Sequence, residues 1–165
     1  ARSHMSAGDQ YLFGGDYEGA IEEYERAVSI VPTLGDAHVT LAVLYEVAGR
    51  PDDAEKALVA AREAYGDDLT YYLALGRAYE TVGEHERAMV ATEEAIAIDP
   101  ESPQAYLTRG SIYEATEEFG RALEDYERAG DLAQQRGQDA LYVMARTRMA
   151  MLMQRGPAFG TSAGP

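Results

Sequence analysis

The sequence predicts an all-α fold: a right-handed superhelix (α-solenoid) of four 34-residue helix-turn-helix repeats followed by one C-terminal helix. Three observations carry that reading. Small and aromatic residues recur every 34 positions, glycine or proline stands where helices must stop, and no apolar run approaches the ~20 residues that span a bilayer.

The period is read directly from columns. A shift of 34 aligns Gly8, Ala42, Gly76 and Gly110, and likewise Tyr11, Tyr45, Tyr79 and Tyr113. It also aligns Ala20, Ala54, Ala88 and Ala122, then Ala27, Ala61, Ala95 and Ala129. Small residues at the Gly8 and Ala20 columns let two helices approach closely, and the tyrosine column fills the space beside them. The Ala27 column does the same against the next repeat. Gly15, Gly49 and Gly83 follow an apolar-periodic stretch, where a helix end needs a left-handed residue; Glu117 holds that place in the last repeat. Pro32 and Pro100 stop the second helix of their repeats. Each period is therefore helix, turn, helix, stop, giving repeats at 6–34, 35–68, 69–102 and 103–136.

These columns resemble the tetratricopeptide repeat (TPR) family, over about four-fifths of the chain. Arg109 stands where the family has Leu, Thr92 replaces a large apolar residue, and the fourth repeat lacks its turn glycine and terminal proline. The resemblance implies a concave inner face, lined by first helices, that holds a peptide. Chaperone-binding members clamp a terminal carboxylate with Lys, Arg and Asn. The corresponding places here are Asp9, Thr40, Thr70 and Ala74, so that clamp is not expected.

The missing stop in the last repeat predicts a longer helix from Phe119 to Arg136, ending before Gly137. A final helix follows in the 137–155 segment. Leu141, Val143, Met144, Met149, Met151, Leu152 and Met153 surround most of it, so it makes a poor polar cap. Two readings stand: half of a fifth repeat, or a self-association surface built from Met149, Met151, Leu152 and Met153. Residues 156–165 read as a flexible tail or linker, with Phe159 its only large apolar residue and the anchor if the tail docks in a neighbour's groove. Ala-Arg-Ser-His-Met at 1–5 reads as a cloning scar.

Composition narrows the chemistry. The net charge of −15 lacks the basic footprint of nucleic-acid binding. Zero cysteine removes disulfides, thiolate metal sites and Cys nucleophiles. The 46% hydrophobic content is that of a folded protein rather than a disordered one. Arg outnumbers Lys 13 to 1, a bias expected of a GC-rich bacterial source. No phosphate loop or nucleophile elbow is present. His38 and His85 take helix-packing columns and are 47 positions apart, so no zinc site is expected. Glu22, Glu23, Glu25, Asp52, Asp53, Glu93, Glu94, Glu124, Asp125 and Glu127 read as a solvated outer face of second helices. The chain is therefore read as no enzyme, with no cofactor, no bound metal, no nucleic acid and no membrane insertion. The cytoplasm is the default expectation for its location.

The candidate site is the inner stripe at repeat offsets 2, 5, 9 and 12, which share one helix face. It comprises Asp36, Val39, Val43 and Glu46, then Thr70, Leu73, Arg77 and Glu80, then Gln104, Leu107, Ser111 and Glu114, with Asp9 and Leu12 in the first repeat. Val39, Leu73 and Leu107 form an apolar row; Glu46, Glu80 and Glu114 form an acidic one beside it, and Arg77 interrupts the pattern. The expected function is a protein-interaction scaffold. Its acidic-apolar groove would take a peptide or helix bearing apolar anchors and Lys or Arg. The alternative is a self-assembly module oligomerising through the last helix.

Overall fold

A computed structural model describes residues 1–154, and the Phe159 anchor lies outside the described residues. Nine α-helices and no strands occur among the described residues. They are α1 (Arg2–Phe13), α2 (Tyr17–Ile30), α3 (Gly35–Val47), α4 (Pro51–Tyr65), α5 (Asp68–Thr81), α6 (His85–Ile98), α7 (Pro103–Ala115), α8 (Phe119–Gln135) and α9 (Asp139–Gln154). The α-solenoid class follows from these successive helix hairpins. The chain divides into two compact units, one running from Ala1 to Glu94 and the next beginning at Ala95.

Local chemistry sets the helix ends. The side chains of Asp16, Asp67 and Ser102 cap α2, α5 and α7 by accepting from the backbone N–H groups of Gly19, Thr70 and Ala105. Pro51 and Pro103 open α4 and α7, where their missing N–H costs nothing. Gly15, Gly49 and Gly83 take the left-handed conformation in the turns after α1, α3 and α5, with φ of 76°, 72° and 82°. Glu117 adopts φ 63° in the matching turn after α7, a conformation that costs an L-residue about 1–2 kcal/mol. α8 has 17 residues against 14, 15 and 14 for α2, α4 and α6, and the next positive-φ glycine is Gly137.

Residues 2–5, set aside as a scar, belong to α1. Met5 packs against the first core cluster, and His4 Nδ1 lies 2.7 Å from Glu23 Oε2. The hydrogen bond from His4 holds the Glu23 carboxyl below its usual range.

In the first unit the core joins Ala20, Ile21 and Tyr24 of α2 to Ala37, Leu41, Ala42, Leu44 and Tyr45 of α3 and Ala54 and Ala57 of α4. A methyl group on Gly8 would come within 2.9 Å of the Tyr24 ring, so α1 lies on α2 only because that side chain is missing. Thr92, the expected odd residue in α6, is buried opposite Gly76 and donates its hydroxyl to the Ala88 carbonyl at 2.7 Å. In the second unit Gly110 sits against Tyr126 in the same way as Gly8 against Tyr24. The core there comprises Leu107, Ala122, Tyr126, Ala129, Ala145 and Leu152. α9 packs along α8, with Gly130 facing Ala145 and Arg146.

Two carboxylates assigned to a solvated face are not solvated. Asp125 is 6% exposed and receives two hydrogen bonds from Arg109, at 2.7 and 2.9 Å. Glu23 is mostly covered, held between His4 and Arg26. Each charge lies on a side of its helix that a neighbouring helix covers, and each has an opposite charge within reach.

Candidate partner-binding face

The first unit carries a concavity of about 260 Å³ across its first helices. α1 supplies Asp9 and Leu12, α3 supplies Asp36, Val39 and Thr40, and α5 supplies Ala74, Arg77, Ala78 and Thr81. Tyr24 reaches its floor from α2. The helix period explains the set: positions 36, 39 and 40 occupy one side of α3, and 74, 77, 78 and 81 one side of α5.

Its lining mixes apolar and polar groups, and the polar ones are prearranged. Val39 is 1% exposed, while the Tyr24 hydroxyl donates to Asp9 Oδ1 at 2.5 Å. Tyr65 donates to Asp36 Oδ1 at 2.6 Å, and Arg77 approaches the same oxygen at 3.4 Å. Arg77 therefore does not stand alone as a basic interruption; it is partly neutralised by Asp36, with both side chains more than half exposed.

The other expected site residues divide between lining and structure. Val43 is buried, and Leu73 and Glu80 are half-buried. Glu46 lines a different cleft of about 470 Å³ with Tyr72, Leu75, Tyr79, Glu86, Arg87, Val90 and Ala91. It accepts from Tyr79 at 2.7 Å and from Arg87 at 2.9 Å. In the second unit Leu107 lies inside the core cluster, while Ser111 and Glu114 are half-buried on α7. Glu114 accepts from Tyr126 at 2.7 Å, with Arg148 3.6 Å away. The acidic row is thus, at Glu46 and Glu114, a set of acceptors for buried phenols.

That relationship recurs and was not read from the sequence. Tyr24, Tyr45, Tyr65, Tyr79 and Tyr126 each donate to a carboxylate on another helix: Asp9, Glu25, Asp36, Glu46 and Glu114. Burial first, and the adjacent carboxylate second, push all five phenols well above their usual value. The acidic partner precedes its tyrosine by 12 to 33 positions with no constant spacing, so no single offset in the sequence announces it.

The expected self-association residues are also sorted. Met151 and Met153 are exposed, Met149 is half-buried, and Leu152 is 2% exposed within the core of the second unit. Leu152 is therefore not a surface residue, because α9 turns it toward Leu107 and Tyr126 in the core cluster.

His38 Nε2 donates to the Pro32 carbonyl at 2.8 Å, locking the turn before α3. Among the described residues, no group of three or more His, Cys, Asp or Glu is arranged to hold a metal ion. No helix among them is long and apolar enough to cross a membrane.

Family models described as tetratricopeptide repeat match residues 14–78, 69–110 and 103–136. The chain belongs to the tetratricopeptide repeat family. TPR proteins generally mediate protein–protein interaction and scaffolding, and are typically non-enzymatic. Among curated relatives, the Arabidopsis thaliana "Protein CTR9 homolog" is 31% identical over 141 residues, covering 84% of this chain and 12% of that protein. "Protein O-mannosyl-transferase TMTC1" of Homo sapiens is 25% identical over 123 residues, covering 72% of this chain and 14% of its own length. The chain thus spans about one-eighth of these relatives. The first TPR domain of human RPAP3 superimposes with a TM-score of 0.53 at 20% identity, over 74% of this chain and 92% of that one, and shares the fold.

Proposed function

We propose that this TPR chain is a scaffold that docks a segment of another protein on the α1, α3 and α5 face of its first unit. The observation that carries the reading is the concavity with Val39 on its floor and Asp9, Asp36 and Arg77 around it. An apolar side chain fits the floor, and a Lys or Arg beside it meets Asp9 and Asp36. Apolar contact supplies most of the affinity, while the charges set encounter rate and selectivity.

The structure also changes which residues should be tested. Replacing Glu46, Glu80 and Glu114 by Lys would strand the phenols of Tyr79 and Tyr126, so lost binding would be confounded with damage to the fold. Ala78 and Thr81 line the same concavity, and the hydrogen bond of the Thr81 hydroxyl stays within α5, to the Arg77 carbonyl. Fluorescence anisotropy on 15-residue peptides combining Leu or Val with Lys and Arg, against matched Asp/Glu peptides, is the direct assay. The basic set is expected to bind, to weaken with salt, and to lose at least about tenfold in affinity with Ala78→Arg/Thr81→Arg. Equal binding of acidic and basic peptides, or no effect of the double substitution in a folded protein, would refute the reading.

A further inference from the structure

α9 buries one stripe and leaves the opposite one bare. Leu141, Ala145, Met149 and Leu152 follow helical spacing and pack within the core of the second unit. At 100° per residue the opposite side holds Ala140, Val143, Met144, Thr147, Ala150, Met151 and Gln154, with Asp139 at its N-terminal end. Apart from Asp139 none of these is charged, and Val143, Met144 and Met151 are 61%, 51% and 57% exposed. The arginines beside this face are drawn away from it: Arg146 binds Asp131 at 2.9 Å and Arg148 approaches Glu114 at 3.6 Å.

We propose that this face is a dimerisation surface that receives α9 of a second copy, antiparallel, with Thr147 on the two-fold axis. Two observations select a second copy over another occupant. The face is self-complementary about Thr147. Antiparallel register sets Val143 opposite the other copy's Met151, and Met144 opposite Ala150, so that large meets small on both sides of the dyad. Charge is the other. The chain carries −15, so two copies repel over most of their surfaces, and a helix face uncharged from Ala140 to Gln154 is where they can approach. An isologous contact of this kind closes at two copies and does not propagate into a fibre. One helix face buries less than the ~1,000 Å² of a stable interface, so the dimer is weak, with a Kd of about 10–100 µM.

Sedimentation equilibrium on the full chain, from about 1 to about 300 µM, tests this. The expected result is a monomer–dimer equilibrium with no larger species. It tightens as salt rises, because screening relieves repulsion between copies, the opposite of the salt response expected for peptide docking. Val143→Glu or Met151→Glu should weaken the dimer at least tenfold, while Met153→Glu, exposed but off the stripe, should not; circular dichroism checks that each variant folds. The chain has no cysteine, so a Thr147→Cys variant reports the dyad directly. Under mild oxidation it should form a disulfide-linked dimer far faster than Glu63→Cys on the exposed side of α4. A strict monomer across the range, which would mean that the tail, a foreign helix or water covers the face, overturns the proposal. So does growth beyond the dimer, or equal cross-linking of the two cysteine variants.

Discussion

Arg109 and Asp125 form a part-buried, two-pronged ion pair between α7 and α8, at positions where the second and third periods hold Leu41 with Ala57 and Leu75 with Ala91. The two polar residues replace an apolar pair together. The hydrogen bonds that Arg109 donates to Asp125 raise the guanidinium's hold on its proton, and the rings of Tyr106 and Tyr113 lie 5.3 and 5.9 Å from it.

A double-mutant cycle measures what this exchange contributes. Arg109→Leu strands a buried carboxylate and is expected to cost about 3 kcal/mol in urea unfolding. Arg109→Leu/Asp125→Ala restores the apolar pattern and should lie within about 1 kcal/mol of the parent. A double variant as unstable as Arg109→Leu alone would show that the pair is needed for more than charge balance.

The turn after α7 offers a stabilising change. Glu117 sits at φ 63° where the other three hairpin turns have glycine. Glu117→Gly should raise stability by about 1 kcal/mol, since relief of the left-handed strain exceeds the entropy that glycine loses. Gly83→Ala should move stability the other way by a similar amount. Thermal melts of the two variants against the parent give the sign.

Helix approach can be probed with single methyl groups. A Cβ on Gly110 would lie 2.7 Å from the Tyr126 ring, which is almost fully buried and cannot retreat. Gly110→Ala is expected to cost about 1–3 kcal/mol. Gly120, exposed in the first turn of α8 with nothing within 4 Å of its would-be Cβ, should tolerate Ala with a gain of up to about 1 kcal/mol.

The tyrosine–carboxylate pairs predict alkaline lability. Tyr24, Tyr45, Tyr65, Tyr79 and Tyr126 hold their protons more tightly when folded than when unfolded. Their contribution is therefore complete below the unfolded phenol value of about 10 and declines as pH rises above it. Denaturation midpoints should fall steeply above about pH 10. Absorbance titration at alkaline pH should show these five ionising only as the chain unfolds. Ionisation of all twelve tyrosines before any loss of helix would contradict the assignment.

What could be read along the chain was whatever short-range chemistry encodes. The turn glycines, the proline stops and the extended α8 follow from backbone preferences of residues a few positions apart. The small-residue columns announced close helix approach, and Gly8 against Tyr24 and Gly110 against Tyr126 realise it. The site was less legible. Val39 and Arg77 line the concavity of the first unit, whereas Glu46 lines another cleft and Leu152 lies in the core. Periodicity gives the face of a helix but not the neighbour that covers it.

The sequence by itself determined that this chain folds as helix hairpins of the TPR kind, because 34-residue spacing of small and aromatic residues permits only serial packing of short helices. Tertiary structure decided which acidic residues remain available to a partner. A phenol from another helix engages Glu46, Glu114, Asp9 and Asp36 alike: Glu46 and Glu114 are half-buried as they accept it, whereas Asp9 and Asp36 accept through Oδ1 and stay exposed to a partner. For Glu46 and Tyr79, 33 positions apart, only packing brings the two together.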